Sequence, residues 1–340
     1  MQQMEAAIRK LLLRELMSSP KDKKVLVAED LFAPAQTRET VLRILLEKLK
    51  ASTVLLIPSP VLALYASGLE GDVSGLVVLS GYSETTVLPI SNRLPLIYSS
   101  ISSTELGSEM LHASMLQLAQ DGELQFQSQN SRLLDPLVDC STDLDDILLK
   151  ACLVSPREGS QIGEVAFQLS SGAKIRISST ARRVGSLLFG DECGRISADP
   201  ERSIARLALE ALLKCPIDAR AQVASRIVLA GGVSMLQGFQ NRFMQDLKFL
   251  CSTNSRFSQL ANLVENKAQV ANLQFTGNTL PWVGGSAYAA ASNLSEAITA
   301  ERFQKGERPL DPLLAGSADA ECFNVITTGV DLSWPMRGPN

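Results

Sequence analysis

The chain has 340 residues, of which 45% are hydrophobic and 20% charged, with a formal net charge of −4 and a pI near 5.3. This composition is typical of a globular protein with a sizeable core, and the length fits two domains or one large α/β unit. The acidic balance argues against a chain-wide basic field for nucleic acid or anionic lipid. No stretch reaches the roughly 18 apolar residues that a membrane helix needs.

The first seventy residues alternate between helical and strand patterns. An amphipathic helix is predicted at Ala6–Met17, and a short strand follows at Val25–Ala28. A second helix is predicted at Arg38–Lys50 with Thr37 as its N-cap, and a buried strand at Thr53–Ile57. A further short helix comes after this strand. The alternation predicts an α/β layer with parallel strands.

The rest of the pattern predicts two β-hairpins and a series of helices. One hairpin is formed by Leu76–Leu79 and Thr85–Ile90, and the other by Val165–Leu169 and Lys174–Ile177. A serine-rich loop is predicted at Ser99–Ser108. Helices are predicted at Glu109–Gln120, Val184–Phe189, Ile204–Leu213 and Phe239–Leu250, and Leu144–Val154 is predicted to be a further helix or a helix–strand junction.

Histidine and cysteine give little support to catalytic or metal chemistry. The single histidine, His112, is interpreted as a polar position on an amphipathic helix, because no second ligand or base lies near it in the sequence. The six cysteines are far apart and form no Cys-x-x-Cys pair, so a zinc site is not indicated. The first residues form an amphipathic helix rather than a signal peptide, and we expect reduced thiols in the cytosol.

Two glycine pairs stand out along the chain. Ile227–Ala230 predicts a buried strand that ends at Gly231 and Gly232 and leads into a helix. Such a turn lets backbone approach a ligand without Cβ interference and aims the N–H groups of the helix N-terminus at it. The alternative is a tight strand–helix turn inside a core. Gly284 and Gly285 predict a second turn of the same kind.

These features together resemble the actin superfamily. The glycine pairs, the Cys215–Arg220 turn and the Tyr65–Gly68 helix end occur in the same order as similar segments of actins, and Val87–Ile90 matches the strand after the actin phosphate hairpin. The resemblance runs with interruptions over residues 8–303 and is weakest over 120–180. It implies an α/β, actin-like (ribonuclease-H-like) fold with two lobes.

The resemblance also implies a division of the chain. Residues 1–75 correspond to the remainder of the first actin-like lobe, and 76–290 to the second lobe with a divergent insert at about 109–180. Residues 291–308 correspond to a C-terminal helix that returns to the first lobe, and 309–340 to a poorly ordered tail. The N-terminal strands and subdomain 2 of actins are expected to be missing. A shortened gene model and a truncated fold are both open explanations.

The departures from actins bear on catalysis. Leu79 and Tyr82 stand where actins carry the two aspartates that organise the metal and its waters, while Thr86 and Ser59 replace a histidine and a glutamine that position the attacking water. Leu148-Leu149 replace a Lys-Glu pair that lies against the adenosine. Because proton handling alone is often worth about 10² to 10⁴ in rate, the resemblance predicts a protein that is not an enzyme.

Nucleotide binding without hydrolysis stays open in this comparison. Gly231, Gly232 and Gly81 are the candidate backbone contacts for ATP or ADP, and Met235 is the candidate contact for the base. The alternative is that the glycines serve only the strand–helix turn. No catalytic residue and no metal ligand is predicted.

Within the superfamily, Gly81-Tyr82-x-Glu84 and Val87–Ile90 resemble the divergent actin-related proteins of the dynactin complex. This implies a cytoplasmic, cytoskeletal subunit that caps the pointed end of an actin-like filament and supports dynein-driven transport along microtubules. Its partners would be the actin-related filament subunits and other pointed-end subunits, without nucleic acid or membrane insertion. The alternatives are another actin-related scaffold, such as a nuclear chromatin-remodelling subunit, and an actin-like ATPase or phosphotransferase.

Overall fold

The computed structural model describes residues 2–68, 73–126, 141–159, 162–170, 172, 174–291 and 297–309. Within these ranges no helix is both long and apolar enough to cross a membrane. The α-helices are α1 (Gln2–Lys10), α2 (Ala35–Arg43), α3 (Ser59–Ala66), α4 (Ser108–Gln120), α5 (Ser141–Lys150), α6 (Ile204–Lys214), α7 (Ile217–Ala224), α8 (Phe239–Thr253), α9 (Ala261–Asn266), α10 (Leu280–Ala291) and α11 (Ala300–Gln304).

The strands are β1 (Lys24–Glu29), β2 (Thr53–Pro58), β3 (Gly75–Ser80), β4 (Thr85–Ser91), β5 (Leu94–Pro95), β6 (Ile101–Ser103), β7 (Leu124–Phe126), β8 (Val165–Gln168), β9 (Lys174–Ile177), β10 (Ile227–Ala230) and β11 (Ile298–Thr299). The chain divides into two compact units. The first is drawn from Met1–Val73, Asn92–Ile97 and Pro281–Asn340, and the second from Ser74–Ser91 and Tyr98–Leu280. The mixture of helices and several sheets confirms the predicted α/β class.

The first unit is built on a sheet with the strand order β1-β2-β11. β1 and β2 are parallel, as predicted, and α2 lies between them in the chain. The helix continues past α2 as a π-helical segment, Ile44–Lys48, and α1 continues in the same way over Leu11–Glu15. Apolar side chains of α2 and of the residues that continue it, including Leu42, Leu45 and Leu49, form a core with the sheet. These side chains recur at helical spacing, so one side of the helix is buried.

The predicted N-cap at Thr37 is wrong. Thr37 lies inside α2, whose N-cap is Pro34. The backbone of Pro34 is extended (φ −59°, ψ 141°), and its carbonyl accepts hydrogen bonds from the N–H groups of Thr37 and Arg38 at 2.9 and 3.1 Å. Proline fixes φ near −65° and has no N–H to satisfy, so it suits the start of a helix.

The second glycine pair is not a turn, contrary to the prediction. Gly284 and Gly285 lie within α10, which crosses α3 at close range. A Cβ on Gly284 would lie 1.8 Å from the carbonyl oxygen of Leu62 in α3. At the same crossing the rings of Tyr65 and Tyr288 pack edge to face with centroids 5.4 Å apart. Gly284 therefore allows two helix backbones to touch, and the pair is a packing feature rather than a bend.

We expect the substitution Gly284→Ala to lower the free energy of unfolding by about 2 kcal/mol. Forced separation of packed elements costs about 1–3 kcal/mol, a clash with backbone falls at the upper end of that range, and the gain in helix propensity offsets about 1 kcal/mol. Gly285→Ala is the matched control. Its Cβ would meet only the ends of the Leu26 and Leu62 side chains at 3.3 and 3.5 Å. Urea unfolding of both variants measures the difference, and equal stabilities would contradict the close helix crossing.

The second unit contains a sheet in which β10 is parallel to β3, and β3 is antiparallel to β4. The hairpin β3–β4 was predicted, as was the hairpin β8–β9, which forms a separate small sheet with β7. The predicted serine-rich loop is partly wrong, because β6 lies inside it and pairs with Thr85–Val87 of β4. Residues 127–140 lie outside the described part, as does the predicted tail from residue 310 onwards.

Candidate functional site

The turn of the β3–β4 hairpin rests on the N-terminus of α4. The Gly81 N–H donates to the Glu84 carbonyl at 2.9 Å, which closes the turn. The carbonyls of Gly81 and Tyr82 accept hydrogen bonds from the N–H groups of Ser108 and Glu109 at 3.1 and 2.9 Å. The first N–H groups of a helix are ready anion sites when nothing caps them. Here the hairpin backbone caps two of them, and the Gly81 N–H is used inside the turn.

The side chains of the hairpin form hydrogen bonds through their hydroxyl groups, and few of them are acidic. Ser80 and Thr85 are buried, with their hydroxyl oxygens 2.6 Å apart, and Thr85 donates to the Leu106 carbonyl. Thr86 is also buried and donates to a Glu84 carboxylate oxygen at 3.2 Å. Over all described residues, no cluster of three or more His, Cys, Asp or Glu side chains is placed to hold a metal ion.

Leu79 and Tyr82 are the two residues that the resemblance to actins matches with aspartates. Leu79 is half-buried at the end of β3, and Tyr82 is exposed at the hairpin tip. Neither side chain carries an oxygen anion that could hold magnesium. On α5, Leu148 is buried in the core while Leu149 is exposed. The site therefore presents apolar and aromatic surface at these positions.

His112 lies on the predicted helix, and its side chain is buried. It lies on α4 with its Nε2 2.9 Å from a carboxylate oxygen of Asp145 on α5, and its ring packs 5.5 Å from the ring of Tyr82. Burial of a polar ring is tolerated where a hydrogen-bond partner is present. The missing signal was the acidic face of α5, which the sequence separates from His112 by a stretch without clear periodicity.

The turn after β10 is fixed to the end of β3. Gly231 has a φ of +89°, a conformation that residues with a Cβ rarely adopt, and a Cβ here would lie 2.0 Å from the carbonyl oxygen of Ser80. The Gly231 N–H donates to the Gly277 carbonyl at 2.8 Å, and its carbonyl accepts from the Ser234 hydroxyl at 2.7 Å. This close approach places Gly231 beside Ser80, the residue before Gly81.

Gly232 has a different environment from its neighbour. Its φ is −63°, and a Cβ added there would meet nothing within 4 Å. The chain then forms a single 3₁₀ turn, Val233–Met235, in which the Met235 side chain is about one-third exposed. The backbone at Gly231 therefore requires a glycine, whereas Gly232 and Met235 border open space.

The helix predicted at Phe239–Leu250 is confirmed, but its N-terminus does not lie at the glycine pair. α8 begins at Phe239, after the extended residue Leu236 and the N-cap Gly238. A Cβ on Gly238 would lie 2.4 Å from the Val154 carbonyl oxygen, so the helix N-terminus is next to Val154. The N–H groups of α8 are consequently not at the glycine pair. Ser59, the remaining candidate, belongs to the first unit as the first residue of α3.

The cysteines in the described ranges are buried and free of disulfides: Cys152, Cys193, Cys215 and Cys251. Burial raises the pKa of the Cys193, Cys215 and Cys251 thiols to about 11, and it raises the pKa of Cys152 further. The thiolate is the nucleophile and metal ligand, so these side chains are inert near neutral pH.

Comparison with known proteins finds matches to actins and actin-related proteins. The sequence profile described as Actin matches residues 1–133 and 137–303. Actin-related protein 10 of Dictyostelium discoideum is 27% identical over 86% of this chain and 67% of its own length. Actin-related protein 4 of Arabidopsis thaliana is 23% identical over 83% and 69%, and Putative actin-29 of Dictyostelium discoideum is 24% identical over 81% and 67%. The chain spans about two thirds of the length of these relatives.

Proposed function

Because this chain belongs to the actin family, with the family profile matched over most of its length, we propose that it is a non-catalytic actin-related subunit of the dynactin complex. In this role it caps the pointed end of the actin-like filament and supports dynein-driven transport along microtubules. Its partners are the filament subunits and other pointed-end subunits, and its location is the cytoplasm and cytoskeleton. The similarity to Actin-related protein 10 and the Gly81-Tyr82-x-Glu84 hairpin support this role.

The observation that carries the non-catalytic assignment is the composition of the hairpin. Leu79 and Tyr82 replace acidic metal ligands, and the Thr86 hydroxyl donates a hydrogen bond to the Glu84 carboxylate. The Gly81 N–H, a group of the kind that grips phosphate in actins, closes the turn instead. A site without metal ligands or a water-positioning base lacks the electrostatic and proton-transfer contributions that dominate phosphoryl transfer.

We expect the purified chain to show no phosphate release from ATP and magnesium above the background of buffer. The carboxylate to control for is Glu84, because it lies on the hairpin itself. The variant Glu84→Gln is expected to match the wild type. Turnover that the wild type shows and Glu84→Gln loses would contradict the assignment and would support an actin-like ATPase.

The filament-capping role is tested by affinity capture from cytosol followed by mass spectrometry for the dynactin subunits. We expect the tagged chain to recover actin-related filament subunits, while the tag alone recovers none. Capture of folded chain without any dynactin subunit would contradict the proposal.

A second candidate is another actin-related scaffold, and the 23% identity to Actin-related protein 4 favours it. If the protein is a nuclear chromatin-remodelling subunit, it is expected to be enriched in the nucleus. Cell fractionation separates the two candidates. Co-sedimentation with cytosolic dynactin supports the first, and co-sedimentation with a nuclear complex supports the second.

A further inference from the structure

The first strand of the first unit lies at an edge of its sheet. Among the described strands, β1 pairs with β2 alone, whereas β2 pairs with β1 on one side and with β11 on the other. All six residues of β1 are exposed or half-buried, while four of the six residues of β2 are buried. An edge strand directs alternate backbone N–H and C=O groups away from its sheet, where another strand can pair with them.

The helices that precede β1 and β2 end in the same way. The Ser18 N–H donates to the Leu12 carbonyl at 2.8 Å, and the Ala51 N–H donates to the Leu45 carbonyl at 2.9 Å. In both helices this bond satisfies a carbonyl of the last turn that has no partner within the helix. The two helix ends can therefore be compared position by position.

Equivalent apolar side chains are buried at the end of the second helix and open at the end of the first. In the second helix three such side chains are between 1% and 8% exposed: Ile44, Leu46 and Leu49. At the same positions of the first helix they are between 46% and 53% exposed: Leu11, Leu13 and Leu16. The edge of β1 and the end of the helix before it are thus both uncovered within the described part of the chain.

The sequence of β1 can pair with a second copy of itself. In an antiparallel pair centred on Val27, Lys24 of each copy lies opposite Asp30 of the other. Opposite residues of an antiparallel pair point to the same face of the sheet, and Lys24 and Asp30 share a face because they are an even number of residues apart. Both side chains are exposed, so two cross-strand pairs of opposite charge favour this register. Between residues 25 and 28 no proline or charged residue opposes the pairing.

We propose that this chain forms a two-fold symmetric dimer in which β1 of one copy pairs antiparallel with β1 of the other. The sheets of the two copies join into one, which removes the open edge. The helices before β1 then lie on the same face of the joined sheet, and Leu11, Leu13 and Leu16 are buried between them. A second copy fits this surface better than lipid, because lipid offers no partner for backbone N–H and C=O groups. The proposal concerns the first unit and does not depend on the filament-capping role.

Sedimentation velocity of the full chain over a concentration series tests the dimer. We expect the mass to rise from 36.7 kDa to twice that value as the concentration increases. The triple variant Leu11→Ser, Leu13→Ser, Leu16→Ser is expected to weaken the dimer about tenfold, because it removes apolar area that the interface buries. The matched control replaces three exposed side chains of the second unit, Tyr98→Ser, Ile217→Ser and Phe275→Ser, and is expected to leave the dimer unchanged.

Charge reversal tests the register of the two strands. Lys24→Asp and Asp30→Lys each place two like-charged pairs opposite one another, so each variant alone is expected to dimerise about tenfold more weakly than the wild type. An equimolar mixture of the two variants restores both pairs of opposite charge. We therefore expect the mixture to form a mixed dimer as tightly as the wild type does.

Hydrogen exchange identifies the edge itself. We expect alternate amides of β1 to exchange rapidly in the monomer and to become protected in the dimer. Protection of every β1 amide in the monomer would overturn a second copy in favour of a segment of the same chain. A chain that stays monomeric at millimolar concentration would overturn the proposal. Equal weakening by both triple variants would do so in favour of general apolar association, and a mixture no tighter than either charge variant would exclude this pairing of β1 with itself.

Discussion

The substitution Arg242→Met is expected to lower the free energy of unfolding by about 3–4 kcal/mol, because it removes the centre of a buried ion network. Arg242 is 2% exposed on α8. Its guanidinium donates twice to Asp191 at 2.7 Å, once to Asp246 at 2.8 Å and once to the Ser155 carbonyl at 2.9 Å. Methionine has a similar length and no charge, so the loss reports on unpaired polar groups rather than on a large cavity.

The network is costly to break because its members hold three segments together. Asp246 also accepts from Arg157 at 2.8 Å, and the Arg157 guanidinium lies 3.2 Å from the centre of the Phe249 ring. The Asp191 carboxylate belongs to the loop before α6 and is partly exposed, so it can be hydrated once Arg242 is lost. Asp246 is 2% exposed and keeps only Arg157. The expected loss therefore falls near the lower end of the values for broken buried ion pairs.

The control for this prediction is Arg256→Met. Arg256 pairs with Glu210 at 3.0 Å, but its side chain is 56% exposed. An exposed pair contributes about 0.2–1 kcal/mol, so this variant is expected to remain close to the wild type. Guanidinium unfolding at neutral pH measures both. If the two variants lost the same stability, burial of the Arg242 network would not increase its contribution to the free energy of unfolding, and the prediction would be wrong.

The elements that could be predicted from the sequence are those whose signal is local. The β3–β4 hairpin and the parallel pair β1–β2 follow from runs of β-branched and aliphatic residues bounded by turn residues. The start of α2 could not be placed because Thr37 and Pro34 are both favourable at a helix N-terminus, and a local pattern does not rank them. Local chemistry therefore predicted which elements exist better than where they begin.

Long-range contacts account for the predictions that were wrong. The glycine pairs at Gly231 and Gly284 look alike in sequence, yet one is a turn and the other is inside a helix. Their roles are set by the carbonyls of Ser80 and Leu62, which come from remote parts of the chain. The burial of His112 could not be predicted for the same reason, because its partner Asp145 is not near it in sequence.

In the candidate site, the residue types could be compared with actins from the sequence, but the backbone geometry could not be predicted. Leu79, Tyr82 and Thr86 could be compared with actins directly from the sequence. The engagement of the Gly81 N–H within its own turn could not, because it depends on how the hairpin closes. The difference between Gly231 and Gly232 likewise could not be predicted from the sequence. It follows from their φ angles and from the atoms around each residue.

The substitution Gly231→Ala is expected to lower the free energy of unfolding by about 2–5 kcal/mol. A left-handed backbone costs an alanine about 1–2 kcal/mol, and the overlap with the Ser80 carbonyl oxygen at 2.0 Å forces the turn away from β3 at a further cost of about 1–3 kcal/mol. Gly232→Ala is the matched control one residue later. Its φ of −63° suits alanine, so we expect unchanged stability or a gain of about 0.5 kcal/mol.

The same two variants separate a structural role of the glycine pair from a nucleotide-binding role. A ligand that binds the native state at 100 times its Kd stabilises it by about 2.7 kcal/mol, which a melting curve detects. We expect millimolar ATP with magnesium to leave the melting temperature of the wild type unchanged, because the Gly81 N–H is engaged and the hairpin offers no acidic metal ligand in place of Leu79 and Tyr82. A shift in the wild type that disappears in Gly232→Ala, without loss of stability, would contradict this expectation. Such a result would assign the open space beside Gly232 and Met235 to a nucleotide, since alanine at that position disturbs nothing else within 4 Å.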